Sequence, residues 1–269
     1  MSTVLITGAA GRIGGYLRSG LPPLGWDLRC LDLVGPPEPD GDREPWVIAD
    51  VADPEALAAA MTDVEAVVHL AGIPTEAAFE DLLVANIDGT YQVFEAARQA
   101  GVKRVIYASS NHAVGFHETG TPLTTAVRAR PDSYYGVTKV FGEALGSFYA
   151  DRYGMDVAAV RIGSCFERPP GERGLGTWLS PNDSVRLVDA LLRAPSFGFA
   201  LLYGISANTR AWWDLEPALT LGYRPEDDAE AYAAEVLTEG RWEADDDPER
   251  LYVGGRMTAE DAHAAARSS

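Results

Sequence analysis

Short apolar runs alternate with amphipathic segments along the first part of the chain. The apolar runs predict six buried strands, at residues 3–7, 27–32, 46–49, 65–69, 102–109 and 156–162. Segments with helical periodicity lie between them, at 13–20, 53–61, 79–100 and 133–153. Strands that alternate with helices in this way predict a parallel sheet joined by right-handed crossovers.

The regular alternation ends after residue 162. Residues 35–45 and 164–181 are rich in glycine and proline and predict loops. Three further helices are expected, at 182–193, 215–221 and 228–237. The last 30 residues give the weakest pattern of the whole chain.

The composition restricts the class of protein. A chain of 269 residues with 46% hydrophobic and 23% charged residues is typical of one globular domain. The formal net charge of −18 argues against a nucleic acid or an anionic membrane as partner, because both attract clustered cations. There is no basic and apolar leader and no apolar run of roughly 18 residues, and two cysteines are too few for a disulfide framework. These observations predict a cytoplasmic protein.

A glycine-rich segment joins the first predicted strand to the first predicted helix, and its glycines are Gly8, Gly11 and Gly14. In this context the spacing is typical of a loop that binds a pyrophosphate at a helix N-terminus. Asp32 ends the second strand, where a carboxylate accepts hydrogen bonds from the adenosine ribose and repels a 2′-phosphate. Together the glycine-rich segment and Asp32 predict NAD rather than NADP. The alternatives are an ordinary glycine-rich turn for the segment and a solvent-facing side chain for Asp32. Asp50 and Val51 are candidates to flank the adenine, although an aspartate before a helix more often caps it.

Two tyrosines precede one of the two lysines of the chain. Tyr135 lies four residues before Lys139 and shares a helical face with it, whereas Tyr134 lies five residues before it and points elsewhere. A tyrosine that acts as a base near neutral pH needs its pKa lowered from about 10 to about 7, or roughly 4 kcal/mol. A neighbouring ammonium and a cationic nicotinamide both favour the phenolate. By itself the pair also fits two ordinary helix residues.

The glycine loop, Asp32, a strand ending in Ser109 and Ser110, and the Tyr135/Lys139 pair follow one another in this order. Over residues 3–165 this order resembles the short-chain dehydrogenase/reductase superfamily, in its extended epimerase/dehydratase branch. The resemblance implies that Ser110 is the catalytic hydroxyl, Tyr135 the acid/base and Lys139 the ribose-binding lysine. The superfamily's spacing, counted back five residues from Gly115, selects Ser110 rather than Ser109. The resemblance also implies cofactor contacts from Arg12, Ile13, Leu70, Ala71, Gly72, Asn86 and Cys165.

Six segments further resemble the uronate dehydrogenases of this branch: 109–112, 131–136, 161–165, Arg173 with 177–180, 203–208 and 212–214. Such enzymes oxidise the anomeric carbon of galacturonate or glucuronate with NAD and give the aldaric acid lactone. The part of the chain after residue 162 is short for a member that holds a nucleotide sugar. Asn111 and His112 stand where the dehydratases of the branch place an Asp-Glu pair, which argues against dehydration.

A uronate carries a carboxylate, for which Arg173 in the predicted loop is a natural bidentate partner. The other candidates for substrate binding are Ser110, Asn111, His112, Tyr135 and Ser164. Without the resemblance, Arg173 is as readily a solvated loop arginine and His112 a histidine that holds its loop. Pro74 stands where the uronate dehydrogenases carry a substrate-binding serine, so Thr75 becomes the candidate for that contact.

The sequence thus predicts a single Rossmann-type domain over residues 1–269, with a doubly wound parallel sheet and a small C-terminal substrate lid mainly at 164–240. The expected activity is oxidation of a free hexuronic acid with NAD and without a metal. The alternatives are an NAD-dependent aldose or glucose 6-phosphate dehydrogenase, a sugar epimerase, and a regulatory protein that only binds NAD. Homo-oligomers are frequent among relatives, so a homo-oligomer is expected by analogy.

Overall fold

The computed structural model describes residues 2–36, 45–238 and 248–259. Within these ranges seven parallel strands form one sheet and two short strands pair separately. The large sheet contains β1 (Thr3–Thr7), β2 (Asp27–Asp32), β3 (Trp46–Ile48), β4 (Ala66–His69), β5 (Arg104–Ser110), β6 (Asp156–Ile162) and β9 (Phe199–Gly204). The short pair is β7 (Ser164–Cys165) and β8 (Trp178–Leu179). The strand order β3-β2-β1-β4-β5-β6-β9 is that of a doubly wound, Rossmann-type sheet, as predicted.

The described α-helices are α1 (Arg12–Gly20), α2 (Pro54–Ala60), α3 (Phe79–Leu82), α4 (Gly89–Gln99), α5 (Tyr134–Tyr153), α6 (Gly171–Thr177), α7 (Pro181–Arg193), α8 (Glu216–Thr220), α9 (Ala233–Thr238) and α10 (Pro248–Leu251). Polar side chains fix where several of them begin. The Ser133 hydroxyl accepts a hydrogen bond from the Gly136 nitrogen at 3.0 Å, so α5 starts at Tyr134.

The two faces of the sheet carry separate cores. Val4 and Ile6 of β1 pack on one face against α1 and α7, for example against Leu17 and Leu187. Leu5 points to the other face, where α2, α4 and α5 contribute Leu57, Phe94 and Tyr149. This alternation within one strand is typical of a sheet that is covered by helices on both sides.

The sequence predicts six of the seven strands and misses β9. The strand is an apolar run that follows Gly198, and it pairs in parallel with β6. Phe199 and Leu201 pack on the α5 face, whereas Ala200 and Leu202 pack on the α7 face. The run is therefore apolar throughout because both of its faces are covered.

Two further predictions of local structure are wrong. Residues 164–181 are not a loop, because β7, α6 and β8 lie within them. The predicted helix at 79–100 is divided into α3, a π-helical stretch at Leu83–Asp88, and α4. Of the predicted loop at 35–45, residues 37–44 lie outside the described residues, as do residues 239 and 240 of the predicted lid.

Candidate active site

The carboxyl ends of β1 and β4 lie side by side where the strand order reverses, and the glycine loop follows β1. Gly8 has a φ of +72°, and a Cβ there would lie 2.6 Å from the Ala71 nitrogen. A Cβ at Gly14 would lie 2.5 Å from the Ala9 oxygen. Gly11 is the N-cap of α1 and offers no side-chain acceptor to the first N–H groups of the helix. These features fit a loop that binds phosphate groups.

Asp32 is held at the end of β2 by the glycine loop, because its Oδ2 accepts a hydrogen bond from the Ala10 nitrogen at 2.9 Å. The carboxylate therefore lies beside the loop, as a ribose-binding role requires. Asp50 instead closes a local turn, in which its Oδ1 accepts from the Ala52 nitrogen at 2.9 Å. Val51 is buried in the core, so the adenine contact of both residues stays a prediction.

The other predicted cofactor residues include Arg12 and Ile13 of α1, Leu70 after β4 and Cys165 of β7. The Arg12 guanidinium lies 4.2 Å from the centroid of the Phe166 ring. Ile13 and Leu70 line an apolar hollow with side chains of β5, β6 and α7. Cys165 is buried in β7, and burial raises the pKa of its thiol to about 12, which keeps it protonated.

Asn86 lies in the π-helical stretch and joins two segments of the site. It accepts a hydrogen bond from the Ile73 nitrogen at 2.7 Å and donates to the Ile73 oxygen at 3.0 Å. It also donates to the Thr138 hydroxyl of α5 at 3.1 Å. The segment after Gly72 is thereby fixed against the helix that carries Tyr135 and Lys139.

Residues of α5 contact three successive residues at the end of β5. Lys139 Nζ donates to the Ala108 oxygen at 2.9 Å, and it lies 5.4 Å from the centroid of the Tyr135 ring. The Ser110 hydroxyl lies near enough to the Tyr135 phenol to oppose the rise in its pKa. The structure therefore places Ser110, Tyr135 and Lys139 in one region, and their catalytic roles stay a prediction.

The acidity of these groups is set by burial. Burial raises the pKa of Tyr135 to about 12, and the nearby Ser110 hydroxyl opposes this rise. Burial lowers the pKa of Lys139 to about 8. For the protein alone, desolvation of the phenolate dominates the pKa of Tyr135, and the effect of the Lys139 ammonium together with a bound nicotinamide stays a prediction.

A buried network that sequence reasoning missed lies next to these residues. Ser109 donates to Glu143 Oε1 at 2.6 Å, and Arg161 binds both oxygens of Glu143 at 2.8 Å. Arg161 and Glu143 are both buried. Burial lowers the pKa of Arg161, but its contacts with Glu143 outweigh this effect and raise it. Glu143 lies four residues after Lys139, and this spacing on one helical face was the available signal.

The candidate substrate residues meet at two points. Asn111 Nδ2 and Arg173 Nη1 both donate to the Val253 oxygen, at 3.2 and 2.9 Å. His112 Nδ1 lies 2.8 Å from Asp132 Oδ2, and its ring packs edge-on against the Tyr135 ring with centroids 5.7 Å apart. Arg173 lies on α6 rather than in a loop.

Ser164 and Thr75 are less closely tied to this group. The buried Ser164 hydroxyl of β7 lies 3.4 Å from the hydroxyl of Thr177, the last residue of α6. Thr75 is exposed. Its neighbour Glu76 accepts hydrogen bonds from the Tyr134 and Tyr135 nitrogens at 3.2 and 2.9 Å, so the segment that carries Thr75 caps α5.

Within residues 2–36, 45–238 and 248–259, no cluster of three or more histidine, cysteine, aspartate or glutamate side chains is suited to a metal ion. Among the same residues, no helix combines the length and the apolar character that a membrane span needs.

Comparisons with known proteins give consistent matches. Residues 4–172 match the model of the NAD dependent epimerase/dehydratase family. Over 256 residues the chain is 42% identical to the uronate dehydrogenase of Pseudomonas syringae pv. tomato, covering 95% of this chain and 93% of that one. It is 39% identical over 253 residues to the NAD-dependent glucose-6-phosphate dehydrogenase of Haloferax volcanii, covering 86% and 96%.

A solved structure matches over nearly the whole chain. It is the crystal structure of a uronate dehydrogenase mutant from Agrobacterium tumefaciens complexed with NAD. The TM-score is 0.92 at 40% sequence identity, over 97% of this chain and 98% of that one.

Proposed function

The chain belongs to the NAD dependent epimerase/dehydratase family, and from that premise we propose that it is a uronate dehydrogenase. It oxidises the anomeric carbon of a free hexuronic acid, galacturonate or glucuronate, to the aldaric acid lactone with NAD. The observation that carries this proposal is the shared contact of Asn111 and Arg173 with the Val253 oxygen. That contact holds a guanidinium close to the segment that follows Ser110.

The glycine loop, the start of α1 and Asp32 suit NAD. Gly8 and Gly14 leave no room for a side chain, and the start of α1 has no capping side chain. Asp32 supplies the carboxylate for the adenosine ribose and excludes a 2′-phosphate. When bound, NAD supplies the hydride acceptor and a positive ring charge that favours the Tyr135 phenolate.

Three side chains have separate roles in the oxidation. The Tyr135 phenolate takes the proton of the anomeric hydroxyl while the hydride leaves the anomeric carbon, so the carbonyl of the lactone forms. Ser110 orients that hydroxyl through a hydrogen bond. The Lys139 ammonium, fixed by the Ala108 oxygen, binds the nicotinamide ribose and remains beside the phenol.

Polar side chains around this centre bind the substrate carboxylate and ring hydroxyls. Arg173 pairs with the carboxylate. The side chains that hydrogen-bond to the hydroxyls are Asn111, His112, Ser164 and Thr75. With a formal net charge of −18, the protein repels an anionic sugar except where such a cation lies. Elements within residues 164–238 cover the sugar as a lid within one domain.

A second candidate is oxidation of glucose 6-phosphate, favoured by the 39% identity to the Haloferax enzyme. A phosphate generally needs more than one cation, and Arg168 lies five residues before Arg173. The Arg168 side chain, however, pairs with Glu235 on the surface at 2.9 Å. This pairing favours the uronate over the sugar phosphate.

We also propose a cytoplasmic homo-oligomer. Cys30 and Cys165 are both buried and form no disulfide, which is compatible with a reducing compartment. Apolar side chains are exposed on α5 and on the helical segments that pack beside it: Leu83, Val84, Tyr91, Tyr134, Val137 and Phe148. A second copy of the chain is the partner that these side chains suit.

The test is a panel of uronic acids, neutral aldoses and sugar phosphates with NAD or NADP, followed by the absorbance of the reduced cofactor. Arg173→Ala is expected to raise KM for uronates by about tenfold or more, and to change KM for neutral sugars little, because a charge-assisted contact is lost. Arg210→Ala is the control, since it removes the same charge from an exposed ion pair with Glu230.

An equal rise in KM for both classes of sugar would show that Arg173 does not bind the carboxylate. Turnover of sugar phosphates alone, weakened by Arg168→Ala as well as by Arg173→Ala, would replace the proposed function with the second candidate.

A further inference from the structure

Residues 252–255, here named the C-terminal clip, lie against the loop that follows Ser110. The Val253 nitrogen donates to the His117 oxygen and the Gly254 nitrogen to the Gly115 oxygen, both at 2.9 Å. Tyr252 forms an antiparallel bridge with Glu118. These main-chain bonds fix the clip to the region between β5 and α5, although it comes from the far end of the described chain.

The clip contacts Asn111 and Arg173 through one atom. The Val253 oxygen accepts from both side chains, and Val253 itself is fully buried. One carbonyl thus sets the direction of an amide and of a guanidinium that belong to different elements. Gly255, with a φ of +58°, lies so close to Arg173 that a Cβ there would be 2.7 Å from its Nε.

The clip also contacts the partner of His112. A Cβ at Gly254 would lie only 1.6 Å from Asp132 Oδ2, so the glycine packs directly on this carboxylate. The Asp132 side chain has no exposed surface, and the Ser133 hydroxyl donates to its other oxygen at 2.8 Å. Asp132 in turn holds His112 Nδ1 at 2.8 Å, which leaves Nε2 as the ring nitrogen for another partner.

We infer that the C-terminal clip positions Asn111, His112 and Arg173 for the sugar, and that it sets the preference for a sugar acid over a neutral sugar. The inference rests on the proposed function and adds Val253, Gly254 and Gly255 as positioning residues. Two glycines stand here because a side chain at either would displace a group that faces the substrate. A main-chain carbonyl suits the central role because it has no rotamers of its own.

The experiment compares Gly254→Ala and Gly255→Ala with Gly198→Ala. Gly198 has a φ of +68° and nothing within 4 Å of an added Cβ, so it reproduces the backbone strain of Gly255 without a contact. We expect Gly255→Ala to raise KM for the uronate by about tenfold while KM for a neutral aldose stays nearly constant, because it displaces Arg173 alone. Gly254→Ala is expected to raise KM for both sugars, because it acts through Asp132 and His112.

KM for NAD and the thermal unfolding midpoint are measured for the same variants. We expect both quantities in Gly255→Ala to equal those in the Gly198→Ala control. A generally destabilised variant would not combine a raised KM for the uronate with an unchanged KM for NAD and an unchanged unfolding midpoint. Asp132→Asn provides a second variant if Gly254→Ala does not fold, and it is expected to raise KM for both sugars.

The inference is overturned if both glycine variants match the control in KM for every sugar, or if KM for NAD rises in parallel with KM for the sugar. Oxidation of neutral sugars alone by the wild-type protein would instead overturn the proposed function. In that case the effect of Gly254→Ala on KM for the neutral sugar still decides whether the clip positions His112.

Discussion

Tyr134 and Tyr135 are neighbours in the sequence but differ completely in environment. Tyr135 is buried beside Ser110 and Lys139, whereas 36% of Tyr134 is exposed and its ring packs against Phe79. Helical spacing distinguishes the two correctly, because only Tyr135 lies one turn before Lys139.

Tyr135→Phe is expected to lower turnover by about 10²- to 10⁴-fold, since it removes the group that takes the hydroxyl proton. NAD affinity is expected to change little, because the ring and Lys139 remain. Steady-state kinetics and a fluorescence titration with NAD measure the two effects. Tyr134→Phe removes the same oxygen one residue away and is expected to leave turnover unchanged; full activity in Tyr135→Phe would contradict the assignment.

At the residue scale, the sequence predicts which residues belong to the candidate site better than it predicts the environment of each side chain. Helical spacing pairs Tyr135 with Lys139, whereas the choice of Ser110 and the role of each residue come from the resemblance to the superfamily. The raised pKa of Tyr135 is not predictable, because it depends on how much solvent the folded protein excludes from the phenol. The contacts of Arg173 and Asn111 with Val253 join residues that are far apart in the chain, and no local pattern reports them.

At the scale of elements, α5 is attached to the sheet by charge as well as by apolar packing. Glu143 of α5 binds Ser109 of β5 and Arg161 of β6, so one carboxylate joins three elements. Since Ser109 precedes Ser110 and Glu143 follows Lys139 by one turn, this network fixes the distance between the strand that carries Ser110 and the helix that carries Tyr135 and Lys139.

Glu143→Gln is expected to destabilise the protein by about 3 to 5 kcal/mol, because it leaves the Arg161 charge buried without its partner. Urea unfolding measures the change. Glu235→Gln removes an ion pair with Arg168 in which both side chains are more than half exposed, and it is expected to cost less than about 1 kcal/mol. Equal effects of the two variants would show that the buried network stabilises the protein no more than an exposed ion pair does.

The prediction of elements succeeds where a segment is long and regular. The first six strands and α5 match because they follow the regular alternation of strand and helix in the first part of the chain. The strand β9 and the short elements β7, α6 and β8 are missed because they follow the last regular crossover and depend on packing between distant segments. The π-helical stretch is missed because an insertion of this kind depends on where Asn86 finds partners, at Ile73 and Thr138, rather than on periodicity.

For the whole molecule, the formal net charge of −18 makes two copies repel each other, so association needs an apolar contact. The exposed apolar side chains of α5 and its neighbours are the contact that we propose. Such a face is predictable in principle from α5, because its apolar positions continue around the helix beyond those that the core uses.

Val137→Glu is expected to shift the protein toward the monomer, because it adds a like charge within the proposed contact. Sedimentation velocity at several protein concentrations measures the shift. Leu24→Glu is the control, since Leu24 is 43% exposed, against 42% for Val137, and lies elsewhere on the surface. A wild-type protein that sediments as a monomer at all concentrations would contradict the proposed association.

The contact of the C-terminal clip with Asn111 and Arg173 has a consequence for synthesis on the ribosome. Val253 is translated 88 residues after Cys165, which at typical elongation rates corresponds to about 4 to 18 s. During that interval α7 and β9, which complete the core and the large sheet, are translated first, whereas Asn111 and Arg173 still lack their common acceptor. Under the proposed function, the part of the site that binds the sugar is therefore completed after the sheet that carries it.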